Sequence, residues 1–295
     1  MKKMRSAYIL CFFLLPSLVC IAQNNPLKIF ISVDMEGIGG IGTGKMVNSS
    51  GKDYNTGRML MTNEVVSVIE AIKEHGPAEI LVNDSHGDMQ NLLHLQLPID
   101  VTYIQGNIKP LGMVQGLDES FDAAIFIGYH SRAGTEKGFL AHTGSGAVKG
   151  LWVNGVEVGE GGMNAFYAGA MGVPVIVASG DLSFKEQFEQ LVKANFVITK
   201  EAITSVVAKL IHPDKVNAEL KVATKDALQK LNQFKPLQVQ EPVTVRMKFA
   251  STTRGDVAEA IPMVKRIDGY TFEFKVDNMT QAYKMIRLMY KFISW

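Results

Sequence analysis

Leu27-Lys28-Ile29-Phe30-Ile31-Ser32-Val33-Asp34-Met35-Glu36-Gly37 is the stretch on which the fold turns. Its opening, Leu27 to Ile31, is an apolar run that reads as a buried β-strand. Two carboxylates two residues apart follow, and then a glycine. Residues i and i+2 of a strand point to the same face, so Asp34 and Glu36 project together where the strand ends and the chain must turn. Two anions held that close repel one another, and a bound cation relieves the repulsion. The competing reading is a solvated strand end with two unrelated acids.

Working outward, the same pattern recurs. Glu79 to Val82 is a short apolar strand running into Asn83-Asp84-Ser85-His86, and Ala123 to Ile127 is another, ending in Gly128-Tyr129-His130. Between the first two lies a helix over about Arg58 to Glu74, with Val65, Val68, Ile69 and Ile72 on one stripe and Gly76-Pro77 closing it. Val101 to Ile104 and Pro174 to Ala178 read as further strands. Short apolar strands alternating with helices indicate an α/β fold with a largely parallel central sheet flanked by helices. In such sheets the carboxyl ends of the strands form the crevice where ligands bind, so residues distant in sequence meet at one rim.

Two more candidates approach that rim from elsewhere. His142 lies on a glycine-rich loop, Gly134 to Gly146. Leu151 to Val158 reads as a hairpin on an Asn154-Gly155 turn. It leads to Glu160 in the first turn of a helix near Met163 to Met171, where the helix dipole favours a carboxylate. The run Gly39 to Gly44 lacks the lysine and hydroxyl spacing of a phosphate-cradling loop. From about Ile203 the texture changes. Two polar helical stretches are expected between Ser205 and Leu231, then strands at Val243 to Phe249 and Tyr270 to Val276. A closing helix carries a core stripe of Met279, Ala282, Tyr283, Ile286 and Met289. The expected organisation is a metal-binding α/β catalytic domain over 26–200 and a smaller C-terminal α+β domain over 201–295.

The start of the chain reads as an export signal. Lys2, Lys3 and Arg5 precede an apolar run from Ala7 to Ala22, and Cys20-Ile21-Ala22 supplies a small-x-small cut, giving a signal peptide over 1–22. The run is interrupted by Pro16 and is short for a membrane span. A lipoprotein anchor at Cys20 fits less well, because Val19 is bulky before a lipidated cysteine. A retained membrane anchor is the other alternative. The expectation is a periplasmic or secreted protein with no stable membrane span after processing. Both cysteines fall in this segment. Disulfides, thiolate metal sites and cysteine nucleophiles are therefore excluded from the processed chain. Removing Lys2, Lys3 and Arg5 takes the formal charge from +1 to −2, which offers no electrostatic footprint for nucleic acid.

Two imidazoles, His86 and His130, and three carboxylates, Asp34, Glu36 and Glu160, suit a pair of zinc ions of the hydrolytic kind; manganese or another divalent ion fits the same donors. One ion takes about three protein ligands plus water, so five ligands with one shared carboxylate serve two ions roughly 3.5–4 Å apart. His142 could then act as general acid or base, or steady an oxyanion. Each residue has a plainer alternative: His86 as a loop residue beside a helix cap, His130 as a buried strand-end histidine, Glu160 as a first-turn acid. Asp84 and Asp118 read as cap or turn residues, and His75, His94 and His212 as structural or surface residues. Arg132 and Asn164 are the candidates for orienting a substrate.

The ordered segments Ser32-Val33-Asp34-Met35-Glu36-Gly37, Val82-Asn83-Asp84-Ser85-His86, Gly128-Tyr129-His130-Ser131-Arg132-Ala133, Ala141-His142-Thr143 and Val158-Gly159-Glu160 resemble the M55 family of D-aminopeptidases, which are zinc peptidases. The resemblance implies a zinc site of two ions per subunit held by Asp34, Glu36, His86, His130 and Glu160, with His142 catalytic. It also implies release of N-terminal D-amino acids from short peptides, D-Ala peptides among them, and a ring-like homo-oligomer. Leu182 departs from the family pattern, which has an acid there, and the export signal is a second departure. The alternatives are another exported metallohydrolase, such as an amidase or phosphodiesterase, and an exported peptide-binding protein without catalysis.

Overall fold

The computed structural model describes residues 25–293. The segment read as an export signal, with its cut after Ala22 and both cysteines, lies outside the described residues. In chain order the elements begin with β1 (Leu27–Val33), α1 (Tyr54–His75), β2 (Ala78–Asp84), β3 (Thr102–Ile104) and β4 (Ala123–Tyr129). Next come β5 (Val148–Val153), β6 (Val156–Glu157), α2 (Glu160–Ala170), β7 (Val175–Asp181), α3 (Leu182–Phe188), β8 (Asn195–Thr204) and β9 (Val207–Leu210). The chain finishes with α4 (Pro213–Gln229), β10 (Val243–Phe249), α5 (Thr252–Ala258), β11 (Lys265–Arg266), β12 (Thr271–Val276) and α6 (Met279–Phe292).

The expected α/β architecture is present. A seven-stranded sheet has the order β3-β2-β1-β4-β7-β8-β9, parallel except for β9 at its edge. Its central strand shows why an apolar run without polar alternation becomes a parallel strand. Ile29, Ile31 and Val33 pack into a core with α1 residues such as Val65 and Ile69, while Phe30 packs into a second core on the opposite face. All four are fully buried, each worth about 1.5–3 kcal/mol relative to exposure. The second core is filled by α2, α3 and α6 and by a five-stranded antiparallel sheet, β11-β12-β10-β5-β6.

One stretch differs from the sequence reading. Only one helix, α4, occupies the stretch where two were expected, because Val207-Ala208-Lys209-Leu210 pairs along the edge of β8 instead. A four-residue segment forms too little helix to resist an open strand edge. The hairpin β5–β6 turns at Asn154 and Gly155, both at positive φ, as the Asn-Gly pair dictates. It then joins the second sheet through antiparallel pairing of β5 with β10. Residue 200 lies within β8, and α4 packs with α1 on the first sheet. Among the described residues no helix is long and apolar enough to cross a membrane.

Candidate metal centre

Strand register builds the site. Val33, the last residue of β1, is paired with Asp84 at the end of β2 and with Ile127 near the end of β4. Whatever follows those strands emerges at one rim. The rim is tied by backbone bonds: Asp34 N–H to Ile127 O at 2.8 Å, Ser85 N–H to Val33 O at 2.9 Å, and Gly37 N–H to Gly128 O at 2.8 Å. The last bond explains the glycine that closes the opening stretch. A Cβ on Gly37 would lie 1.9 Å from the Tyr129 carbonyl oxygen. Gly128, at φ +70°, faces the Asp34 carbonyl in the same way.

All six residues singled out in the sequence meet here. His86 Nδ1 lies 3.2 Å from Asp34 Oδ1 and 3.0 Å from Glu36 Oε2. His130 Nε2 lies 3.4 Å from Asp34 Oδ2 and 3.6 Å from Glu160 Oε2, and His142 Nε2 lies 3.5 Å from Glu160 Oε1. The His130 and His142 rings stack with centroids 4.2 Å apart. Two groups capable of holding a cation result, Asp34–Glu36–His86 and His130–His142–Glu160, each with its ligand atoms within 4.8 Å of one another. Asp34 joins them, presenting one oxygen to each.

The imidazoles are oriented for ligation. His86 Nε2–H donates to Val47 O (2.7 Å), His130 Nδ1–H to Ser131 O (3.0 Å) and His142 Nδ1–H to Leu140 O (3.0 Å). A carbonyl can only accept, so each ring carries its proton on the outward nitrogen, and the other nitrogen faces the carboxylates. Asp34 Oδ2, Glu36 Oε2 and His130 Nε2 are buried without a hydrogen-bond partner among the described residues. Buried polar atoms are rarely left so. A divalent cation among oxygen and imidazole donors satisfies all three, and the donor set suits zinc.

The electrostatics agree. Burial, then the Glu36 charge, push the Asp34 carboxyl up to about 7. Burial also opposes ionisation of Glu36 and Glu160. His86 nevertheless holds Glu36 well below the usual range, and His142 and His130 bring Glu160 to about 2. His130 is buried and His86 largely so, yet the carboxylates around them keep both well above the ordinary histidine value. Three acids and three imidazoles compensate one another imperfectly, and Asp34 is the member left over.

Supporting residues were less visible in the sequence. Lys200, fully buried on β8, donates to the carbonyls of Glu36 and Ile41 and so holds the turn after the site. Gly144 N–H fixes Glu160 Oε1 at 2.6 Å. Beneath the rim, Ser32 Oγ meets Ser85 Oγ and Tyr129 OH at 2.7 and 2.6 Å. Asp84 receives the N–H groups of Asn91 and Leu92, a loop-shaping role that accords with its reading as a cap or turn residue. The two substrate-orienting candidates are engaged elsewhere: Arg132 pairs with Glu157, and Asn164 bonds Tyr129 OH and Tyr283 OH. Instead, Arg287, Tyr290 and Lys291 of α6 line the pocket above Asp34, His86, His142 and Glu160. Arg287 carried a signal, since it is a cation interrupting the apolar face of α6.

Fold and site together define a class: an open, largely parallel α/β protein built around a carboxylate–imidazole cluster fit for divalent cations. Comparison with known proteins narrows it. Residues 27–288 match the peptidase M55 family, described as D-aminopeptidase, and the chain belongs to that family of metallopeptidases. It is 34% identical over 265 residues to the D-aminopeptidase of Bacillus subtilis (strain 168), covering 89% of this chain and 96% of that one. It also superposes, with a TM-score of 0.88 and 34% identity, on the Zn-dependent D-aminopeptidase DppA from Bacillus subtilis, described as a self-compartmentalizing protease. That match covers 91% of this chain and 98% of the other.

Proposed function

We propose that the protein is an exported zinc aminopeptidase with two ions per subunit that releases N-terminal D-amino acids from short peptides. The observation that carries this reading is Asp34, whose two carboxylate oxygens face two separate ligand groups. Asp34, with Glu36 and His86 on one side and His130 and Glu160 on the other, would hold the ions. The ions supply Lewis acidity when bound, polarising the scissile carbonyl and acidifying a water. The chain's own residues do the rest. The outward N–H groups of His86 and His130, donating to Val47 O and Ser131 O, lock the ligating rings in one tautomer. His142 is the proton carrier. Its Nδ1–H is held by Leu140 O, so Nε2 offers a lone pair, and its side chain is 31% exposed where His130 is 1%. Nε2 takes a proton from the attacking water and returns it to the departing amine.

One observation favours a second role for His142, because its Nε2 falls in the same ligand group as His130 and Glu160. Metal analysis of His142→Ala separates the two. A proton carrier leaves about two zinc ions bound and loses turnover by on the order of 100-fold or more; a ligand loses metal as well.

Assembly and location belong to the same proposal. The likeness to a self-compartmentalizing protease supports a ring-like homo-oligomer enclosing the sites. The basic, then apolar, start of the chain supports export to the periplasm or medium with a cut near Ala22. Zinc content and hydrolysis of D-Ala-D-Ala against its L counterpart test the enzymatic core. About two ions per chain and a D-preference are expected. A metal-free protein on purification with zinc, or preference for the L-peptide, overturns it.

A further inference from the structure

The pocket over the cluster has a second end. Its cavity has a volume of about 100 Å³. Besides the acids and imidazoles it is lined by Arg287 and Lys291, one turn apart on α6. Like charges at this spacing weaken a helix by a few tenths of a kcal/mol, so the pair is not there for α6 itself.

Neither cation has an ionic partner among the described residues. Arg287 is only 4% exposed. Its Nη1 donates to Tyr290 OH at 2.8 Å and its Nη2 to Lys109 O at 3.2 Å, both neutral acceptors. Its Nε–H is buried with no acceptor among the described residues. Lys291 is half-buried, and burial together with the Arg287 charge lowers its pKa; Glu160 and Asp88 act on it without forming an ion pair. Another cation nearby, Lys109, donates its ammonium to Asn83 Oδ1 and the carbonyls of Asp84 and Ile104. A buried guanidinium with an unused donor beside a second unpaired ammonium is a receptor for an anion.

We infer that Arg287 and Lys291 bind the free α-carboxylate at the C-terminus of a short peptide substrate. This rests on the aminopeptidase reading above and sharpens its substrate class. With the scissile carbonyl at the rim, the next residue of an extended chain advances about 3.3–3.6 Å and ends in that carboxylate. The site is therefore one that reads the C-terminal end of a short substrate. The family match stops at residue 288, so Lys291 lies beyond it.

The test compares D-Ala-D-Ala with its C-terminal amide on the zinc-loaded full chain. The native protein is expected to favour the acid by on the order of 10- to 100-fold in kcat/KM, through KM. Lys291→Met, with Lys291→Gln as a second variant should the first fail to fold, is expected to lower the acid-to-amide ratio about tenfold. Equal rates on acid and amide by the native protein, or a ratio unmoved in the variants, overturn the inference while the D-aminopeptidase reading stands. Hydrolysis of neither D-peptide overturns both.

Discussion

Two buried clusters of charge lie back to back in this molecule, and they settle the cost of burial differently. Behind the turn at residues 36–41, Lys200 reaches the carbonyls of Glu36 and Ile41, and Glu64 Oε1 accepts the Gly39 N–H at 2.5 Å. Both shift toward their neutral forms: burial pushes Glu64 up to about 8 and Lys200 down to about 7. In front of the turn, Glu36 and Glu160 stay charged, and His86 and His130 are driven toward charge with them. The rear pair bonds to backbone and braces a loop. The front cluster bonds chiefly to itself and needs a cation: among the described residues it leaves Asp34 Oδ2, Glu36 Oε2 and His130 Nε2 without partners, where the rear pair leaves only Glu64 Oε2. Buried charge alone does not mark a site; its choice of partners does.

The sharpest way to break this contrast is Asp34→Asn. The amide keeps the shape but cannot bridge two cations. Turnover should fall by on the order of 100-fold or more, with zinc content reduced. The zinc-free protein should melt no lower than the native one, because an anion pressed against Glu36 has been removed. A variant that keeps full activity would place the site elsewhere.

Lys200→Met probes the rear pair. Two carbonyls lose their donor, at about 1–3 kcal/mol for each buried group left unsatisfied. Urea unfolding should register the loss, and zinc affinity should weaken about tenfold through the displaced Glu36. Unchanged stability would mean that the rear cluster is no brace.

The smallest effect is a dependence on pH. Glu64 has a folded value of about 8 against an ordinary 4.5, so its proton is held more tightly in the folded chain. Its contribution to stability is present below 4.5 and is lost as pH climbs through about 8. Glu64→Gln has no such loss. Unfolding of the zinc-free proteins at about pH 5 and about pH 8 should show the variant gaining on the native chain at the higher pH. Lys200 contributes in the opposite sense over 7 to 10.5, and the contribution is largely common to both proteins. A difference that stays flat with pH would refute the protonated Glu64.

Much of the front cluster was legible beforehand. Apolar strands ending in Asp34 and Glu36, in His86 and in His130 announce a rim, and Glu160 and His142 arrive there as expected. The rear pair was not legible. Glu64 lies on α1 among residues that look like any amphipathic helix, and Lys200 lies in a strand whose charged neighbours include Glu201. Val207 to Leu210 was misread for a related reason, since so short a segment takes its conformation from the edge beside it. Arg132 and Asn164, placed near the site by sequence proximity to His130 and Glu160, turned out to serve Glu157 and two tyrosines.

Local chemistry determined the strands, the polar residues at their ends, the Asn-Gly hairpin and the glycine that closes the first turn, because each depends on neighbours a few residues away. Tertiary structure alone decided that Val33 sits level with Asp84 and Ile127, that Lys200 meets Glu36 across 164 positions, and that α6 swings Arg287 over the pocket. Those pairings follow from how whole faces pack and exclude water. That balance is struck over the entire core, and no single stretch of chain contains it.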